Sequence, residues 1–292
     1  MEITIHLGFH CTDEERLTRC LLRNAATLEA QGISVPPPPS YRPALKEAMI
    51  AAREAGEPGG EVALRLAQAL DAAPGKRRLV LSHPNIICFP GRAISRDGFY
   101  AMAPRKIAAL AGILGGTLTE VHLALRNPAT LVPALIDQVP ETDYATLMCG
   151  RQPMQLSWAE VIERIRAELP DLPLVIWCNE DLPLIWPELL RRLVGVPPET
   201  RLEGDEEMLG ALLTPVGMAT LAAYLKSQDP VSVPDRRRLT TALLERYAQP
   251  GQLEVELDLP GWTPDLVEEI TDAYYSDVTR IAGIDGVEFL AP

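Results

Sequence analysis

Four short apolar runs, spaced far apart and separated by helical patterns, restrict this chain more than anything else in it. They are Glu2-Ile3-Thr4-Ile5-His6-Leu7-Gly8-Phe9, Leu79-Val80-Leu81-Ser82, Glu120-Val121-His122-Leu123-Ala124-Leu125 and Leu174-Val175-Ile176-Trp177-Cys178. Each has the length and content of a strand. Parallel strands need crossovers of a dozen or more residues, and the helical segments between these runs supply them. The expectation is an α/β fold of three layers, a mostly parallel sheet of at least four strands flanked by helices. Past Gly195 the pattern turns mostly helical over about 200–292: Glu206 to Lys226, Asp235 to Tyr247 and Pro264 to Ala282, then a short apolar tail, Val287 to Leu290. That part is either a small second domain or a helical cover of the sheet. No Ser/Gly-rich linker precedes it, so a single domain over 1–292 is expected.

The net charge of −13 repels nucleic acid and anionic membrane surfaces, and neither is expected as a partner. Five cysteines, odd in number and widely spaced, give neither a disulfide framework nor a zinc knuckle, and a reducing compartment suits them. With no run near 18 apolar residues and a strand at the N-terminus, the cytoplasm is the expected location. Residues 43 to 73 carry two helical patterns split at Gly56 to Gly60, and Pro36-Pro37-Pro38-Pro39 reads as an extended, stiff connection ahead of them.

The first strand runs into His10-Cys11-Thr12-Asp13-Glu14-Glu15 and a helix expected from about Thr12 to Gln31. A strand, a tight turn and a helix form a ready anion site, because free backbone N–H groups and the helix dipole both favour negative charge. Here the turn holds three acids and no lysine, so anion binding should fail. The sequence reads instead as a capping box, Thr12 at the N-cap and Glu15 reaching back. Consecutive helical residues point about 100° apart, so the three acids do not converge on a cation, and no metal site is expected from them.

Several segments, in order, resemble bacterial members of the sulfotransferase family, a branch of the P-loop nucleoside-triphosphatase-like folds. Ile5-His6-Leu7-Gly8 is similar to the strand before that family's phosphosulfate loop, and Gly32-Ile33 with Val35-Pro36 to the segment after its first helix. Leu125-Arg126-Asn127-Pro128 resembles the strand end that holds the cofactor's 3′-phosphate, while the serine that shares this task has no counterpart in Val132-Pro133-Ala134-Leu135. Looser likenesses are Ser82-His83, Trp177-Cys178-Asn179-Glu180-Asp181 and the closing Tyr275 to Leu290. The resemblance implies a three-layer P-loop-like sheet, 3′-phosphoadenosine 5′-phosphosulfate as cofactor if the site survives, and Cys11, Thr12 and Arg126 at the cofactor position; a working enzyme in the same cleft would take His83 or His10, both at expected strand ends, as base.

In the loop itself Cys11 replaces the family's lysine, Asp13 its glycine, and Glu14 and Glu15 its hydroxyls. The leading expectation is therefore a degenerate, non-catalytic member with no cofactor, acting as a binding or scaffolding protein for an unidentified protein or small molecule. The rival is an active sulfotransferase or other transferase using the same cleft, with Arg126 on a phosphate. A third reading is a homo-oligomer subunit, marked by an exposed apolar helix face within 206 to 282. Arg126 could equally pair with an acid. His10, Cys11 and His83, all at expected strand ends, are either packing residues or partners in a metal or thiol site.

Overall fold

The computed structural model describes residues 1–70, 75–228, 231–252 and 258–292. Its strands are β1 (Glu2–Gly8), β2 (Ile33–Ser34), β3 (Arg78–Ser82), β4 (Ile94–Ser95), β5 (Gly98–Phe99), β6 (Leu118–Leu125), β7 (Leu174–Cys178) and β8 (Val287–Leu290). Six of them form one sheet in the order β2-β3-β1-β6-β7-β8, and every pairing in it is parallel. The remaining two, β4 and β5, make a small antiparallel hairpin. The four expected strands form the centre of the sheet. Two short strands extend its edges, one from the Ile33 segment and one from the apolar tail.

Alternation along β1 sorts the layers. Ile3, Ile5 and Leu7 face the larger core, with side chains from α3 (Pro38–Ala55), α4 (Gly60–Ala69), α5 (Ala103–Leu114), α6 (Pro128–Gln138), α8 (Trp158–Glu168) and α13 (Pro264–Ala282). On the opposite face Val80, Ala124 and Trp177 pack against α1 (Arg16–Arg23), α2 (Ala25–Glu29) and α9 (Leu182–Val194). Helices thus cover both faces, as the three-layer reading requires. Helix α7 (Tyr144–Met148) lies between α6 and α8 in the chain. A separate small cluster, Leu209, Leu213, Leu221 and Leu243, joins α10 (Glu207–Leu212), α11 (Pro215–Ser227) and α12 (Val233–Tyr247).

Three local expectations are corrected. The helix expected from Thr12 to Gln31 starts only at Arg16 and is split at Asn24, whose side chain donates to Cys20 O and Glu203 O and accepts from Glu203 N. The proline run is extended only as far as Pro37. Pro38 and Pro39 form the first turn of α3, where a missing N–H costs nothing. The single helix expected over 206 to 226 is two, because Pro215 opens a new one behind the N-cap Thr214. Residues 71 to 73, the end of the second helical pattern, lie outside the described residues.

Strand order fixes where a ligand site would fall. The chain goes from β1 outward to β2, returns through β3 beside β1, and then crosses to β6 on the other side. The crevice beyond the carboxyl ends of β1, β3 and β6 is the switch point of the sheet, the usual ligand position in open α/β folds.

Candidate functional site

The turn after β1 lies at that switch point. Gly8, at φ +69°, takes the chain out of the strand, a conformation open to glycine at little cost. Phe9 then plugs into an aromatic cluster, its ring 4.4 Å from Tyr100 and 4.5 Å from Trp158. Beyond it Cys11, Glu14 and Glu15 all hold left-handed φ values of 58°, 51° and 62°. Each costs roughly 1 kcal/mol in a residue with a Cβ.

These left-handed residues delay the helix and overturn the expected capping box. Thr12 lies too early to cap, and its Oγ1 donates to Phe9 O at 3.1 Å. Glu15 occupies the N-cap position without a side-chain cap bond; its carboxylate takes Arg42 Nη1 at 2.6 Å instead. The cap comes from Asp13, whose Oδ2 accepts from Leu17 N at 2.9 Å and whose carbonyl accepts from Arg16 N at 2.8 Å. Asp13 is 5% exposed. The chain's own carboxylate therefore stands where an external anion would meet the start of α1.

Arg126, at the end of β6, is half-buried and has no acid partner among the described residues. Its Nη1 donates to Cys11 O at 2.6 Å and its Nε to Thr130 Oγ1 at 3.1 Å, while its carbonyl accepts from Trp158 Nε1 at 2.8 Å. It ties the turn to α6. Asn127 caps α6 through its side chain, and its backbone N–H donates to Glu180 Oε1 at 2.9 Å. Glu180 also accepts from Tyr274 OH at 3.0 Å. The Arg-Asn-Pro and Asn-Glu-Asp segments thus meet on neighbouring strands and anchor α13.

His10 is buried with both ring nitrogens bonded: Nδ1 to Tyr100 OH at 2.8 Å and Nε2 to Cys88 O at 2.9 Å. A carbonyl only accepts, so Nε2 carries the proton and Nδ1 receives the tyrosine hydrogen. Burial lowers its pKa and keeps the ring neutral. No lone pair is left for a substrate proton. Cys11 is half-buried, and burial pushes its thiol up to about 11, against the pull of Arg126. It stays a thiol at neutral pH, the unreactive form.

His83 is placed differently. Its backbone N–H extends the β1–β3 pairing to His6 O at 2.9 Å, and its Nδ1 is buried without a partner among the described residues. Burial, and then the Arg42 charge, push it down to about 4. Arg42 was not visible as a site residue in the sequence. It stands in the first turns of α3, where Tyr41 OH and Arg42 Nε both donate to Ser82 O, at 2.7 and 2.9 Å, and lock the end of β3. His10, Cys11 and His83 do not assemble as a set: among the described residues no three His, Cys, Asp or Glu side chains converge as metal ligands. No described helix is long and apolar enough to cross a membrane.

A larger cleft, of about 880 Å³, lies elsewhere, lined by Glu188, Arg191, Val196 and Arg201 together with Leu225 and Arg236. None of the residues expected from the sequence lines it. Two of its arginines are engaged by the chain's own acids, Arg191 by Asp205 through two bonds of 2.8 and 2.7 Å and Arg236 by Glu206 at 3.0 Å.

No protein-family model matches the chain, and no curated protein matches it. Among solved structures the chain is similar to the crystal structure of a sulfotransferase from Alicyclobacillus acidocaldarius. The two share 11% identity at a TM-score of 0.42, over 84% of this chain and 96% of that one.

Proposed function

We infer that this chain is a sulfotransferase-like scaffold whose phosphosulfate loop has become a self-capped turn, and that it acts as a non-catalytic binding or scaffolding protein. One observation carries the reading: the Asp13 carboxylate on Leu17 N, at the position where the dipole and amides of α1 would hold a phosphate. Two like unit charges about 4 Å apart repel by about 4 kcal/mol at an effective dielectric near 20. A phosphate there would meet Asp13 with Glu14 and Glu15 close behind, and no lysine in the turn offsets them. Arg126 and His10 support the reading, since both are engaged in holding the turn itself.

Calorimetry with 3′-phosphoadenosine 5′-phosphate tests it. No binding in the micromolar range is expected, and a micromolar Kd would overturn it.

The rival, a transferase with His83 as base, draws on the unpartnered Nδ1 of His83 at the end of β3. It expects His83→Ala to abolish an activity at an unchanged melting temperature. A homo-oligomer is favoured by α11, which buries only Gly217 and Leu221 while leaving Val216 62% exposed. Light scattering separates that reading from a monomer.

A further inference from the structure

One face of the sheet carries a row of buried polar side chains: Thr4 and His6 on β1, Ser82 on β3, Glu120 and His122 on β6. The helices over it, α1 and α9, present apolar residues such as Leu17, Leu21, Leu189 and Leu193. A buried polar group without a partner loses the hydrogen bonds it had in water, so each of these needs one. Around Glu120 the need is met. Its carboxylate accepts from Thr4 Oγ1, His122 Nε2 and Arg78 Nη1, each at 3.1 Å, and from Arg192 Nη2 at 2.8 Å.

Toward α1 it is not. His6 Nδ1 lies 3.2 Å from Ser82 Oγ, but His6 Nε2 and Thr18 Oγ1 have no partner among the described residues. Their side chains belong to residues only 1% and 5% exposed. Both residues line one small cavity, with Ser82, Leu17, Leu21 and Val35, and it gives the centre of a water molecule about 10 Å³ to occupy. That is about the space one internal water needs, and two polar partners are the minimum it takes. His122 Nδ1 and Trp177 Nε1 are also unpartnered, but neither residue lines this cavity.

We propose that the cavity is a binding site for a single internal water that joins β1 to α1. Ser82 Oγ–H donates to His6 Nδ1, Nε2–H donates to the water, and the water donates to Thr18 Oγ1. The bridge pins the helix behind the turn to the strand in front of it. The cavity is too small for any larger ligand. The proposal is independent of whether the chain binds a nucleotide.

Water–protein Overhauser spectroscopy on the whole chain is the test. A long-lived water is expected to give cross-peaks to the His6 ring and the Thr18 methyl. Thr18→Val should abolish the cross-peak to His6 and raise the unfolding equilibrium constant about tenfold, the loss of one buried hydrogen bond. Thr18→Ser should keep the cross-peak to His6. A dry cavity predicts the opposite sign, because removing an unpartnered buried hydroxyl stabilises the fold. No cross-peak in the wild-type chain, or a more stable Thr18→Val, overturns the proposal. If Thr18→Val does not fold, the wild-type cross-peaks decide.

Discussion

Replacing Asp13 with alanine removes both the acceptor for Leu17 N–H and a negative charge at the start of α1. Loss of a capping acceptor costs about 1 kcal/mol, and loss of a favourable charge at a helix N-terminus costs up to about 1 more. The expected penalty for Asp13→Ala is therefore about 2 kcal/mol. In a chain of this length 1 kcal/mol moves the melting temperature by roughly 2–4 °C, so a fall of roughly 4–8 °C is expected. Asp13→Asn keeps an oxygen for Leu17 N–H and loses only the charge, so it should fall by about half as much. Urea unfolding and calorimetric melting of the three proteins measure the order, and amide exchange at Leu17 should quicken in the alanine variant only. An Asp13→Ala protein as stable as the wild type, or more stable, would refute the reasoning. It would mean that repulsion from Glu14 and Glu15 outweighs the cap, as in a turn shaped for something other than its own carboxylate.

Acid should destabilise the fold through its histidines below pH 6.5, opposed by Asp181, whose carboxyl burial pushes up to about 6 and whose protonation favours the folded chain. All four histidines have their pKa lowered, with burial the leading cause, and His83 and His122 are pushed down to about 4. Their neutral forms favour the folded chain, so that contribution is complete above pH 6.5, erodes as pH falls and is lost once pH passes the folded value. For His122, 6.5 down to about 4 corresponds to about 3 kcal/mol; urea midpoints that stay flat from pH 7 to pH 4 would contradict this. Burial pushes the Glu120 carboxyl up, but hydrogen bonds from His122 and Arg192 hold it below the usual range, so it adds its own loss only at lower pH. Glu14→Gly should stabilise the chain by about 1 kcal/mol, because glycine adopts the left-handed φ of 51° without the Cβ clash; thermal melting would show it. Arg126→Ala should lower stability by about 2 kcal/mol through the lost bond to Cys11 O. An unchanged melting temperature there would instead favour an Arg126 kept for a ligand.

The central strands were legible because each is a run of apolar residues long enough to be buried on both faces. The edge strands were not, since Ile33–Ser34 and Val287–Leu290 are too short for periodicity to mark. The turn departs from its sequence pattern for a specific reason. Left-handed backbone is normally announced by glycine, and here Cys11, Glu14 and Glu15 adopt it, so the sequence pattern places the cap on Thr12 and reads Asp13 as a solvated acid rather than as the cap. Arg42 and the partners of His10 were out of reach for another reason: Tyr100 stands 90 residues beyond His10, and no local spacing records such a meeting. Arg126 was legible as a residue at a strand end. Its partner, a backbone carbonyl in the turn, could not be read from side-chain identities.

Titration of the wild-type chain with 3′-phosphoadenosine 5′-phosphate, followed by calorimetry and by the amide signals of Asp13 to Leu17, tests the self-capped turn most directly. No heat of binding and no movement of those signals in the micromolar range is the predicted result. Saturable micromolar binding, with the Leu17 amide shifting as Asp13 is displaced, would contradict it.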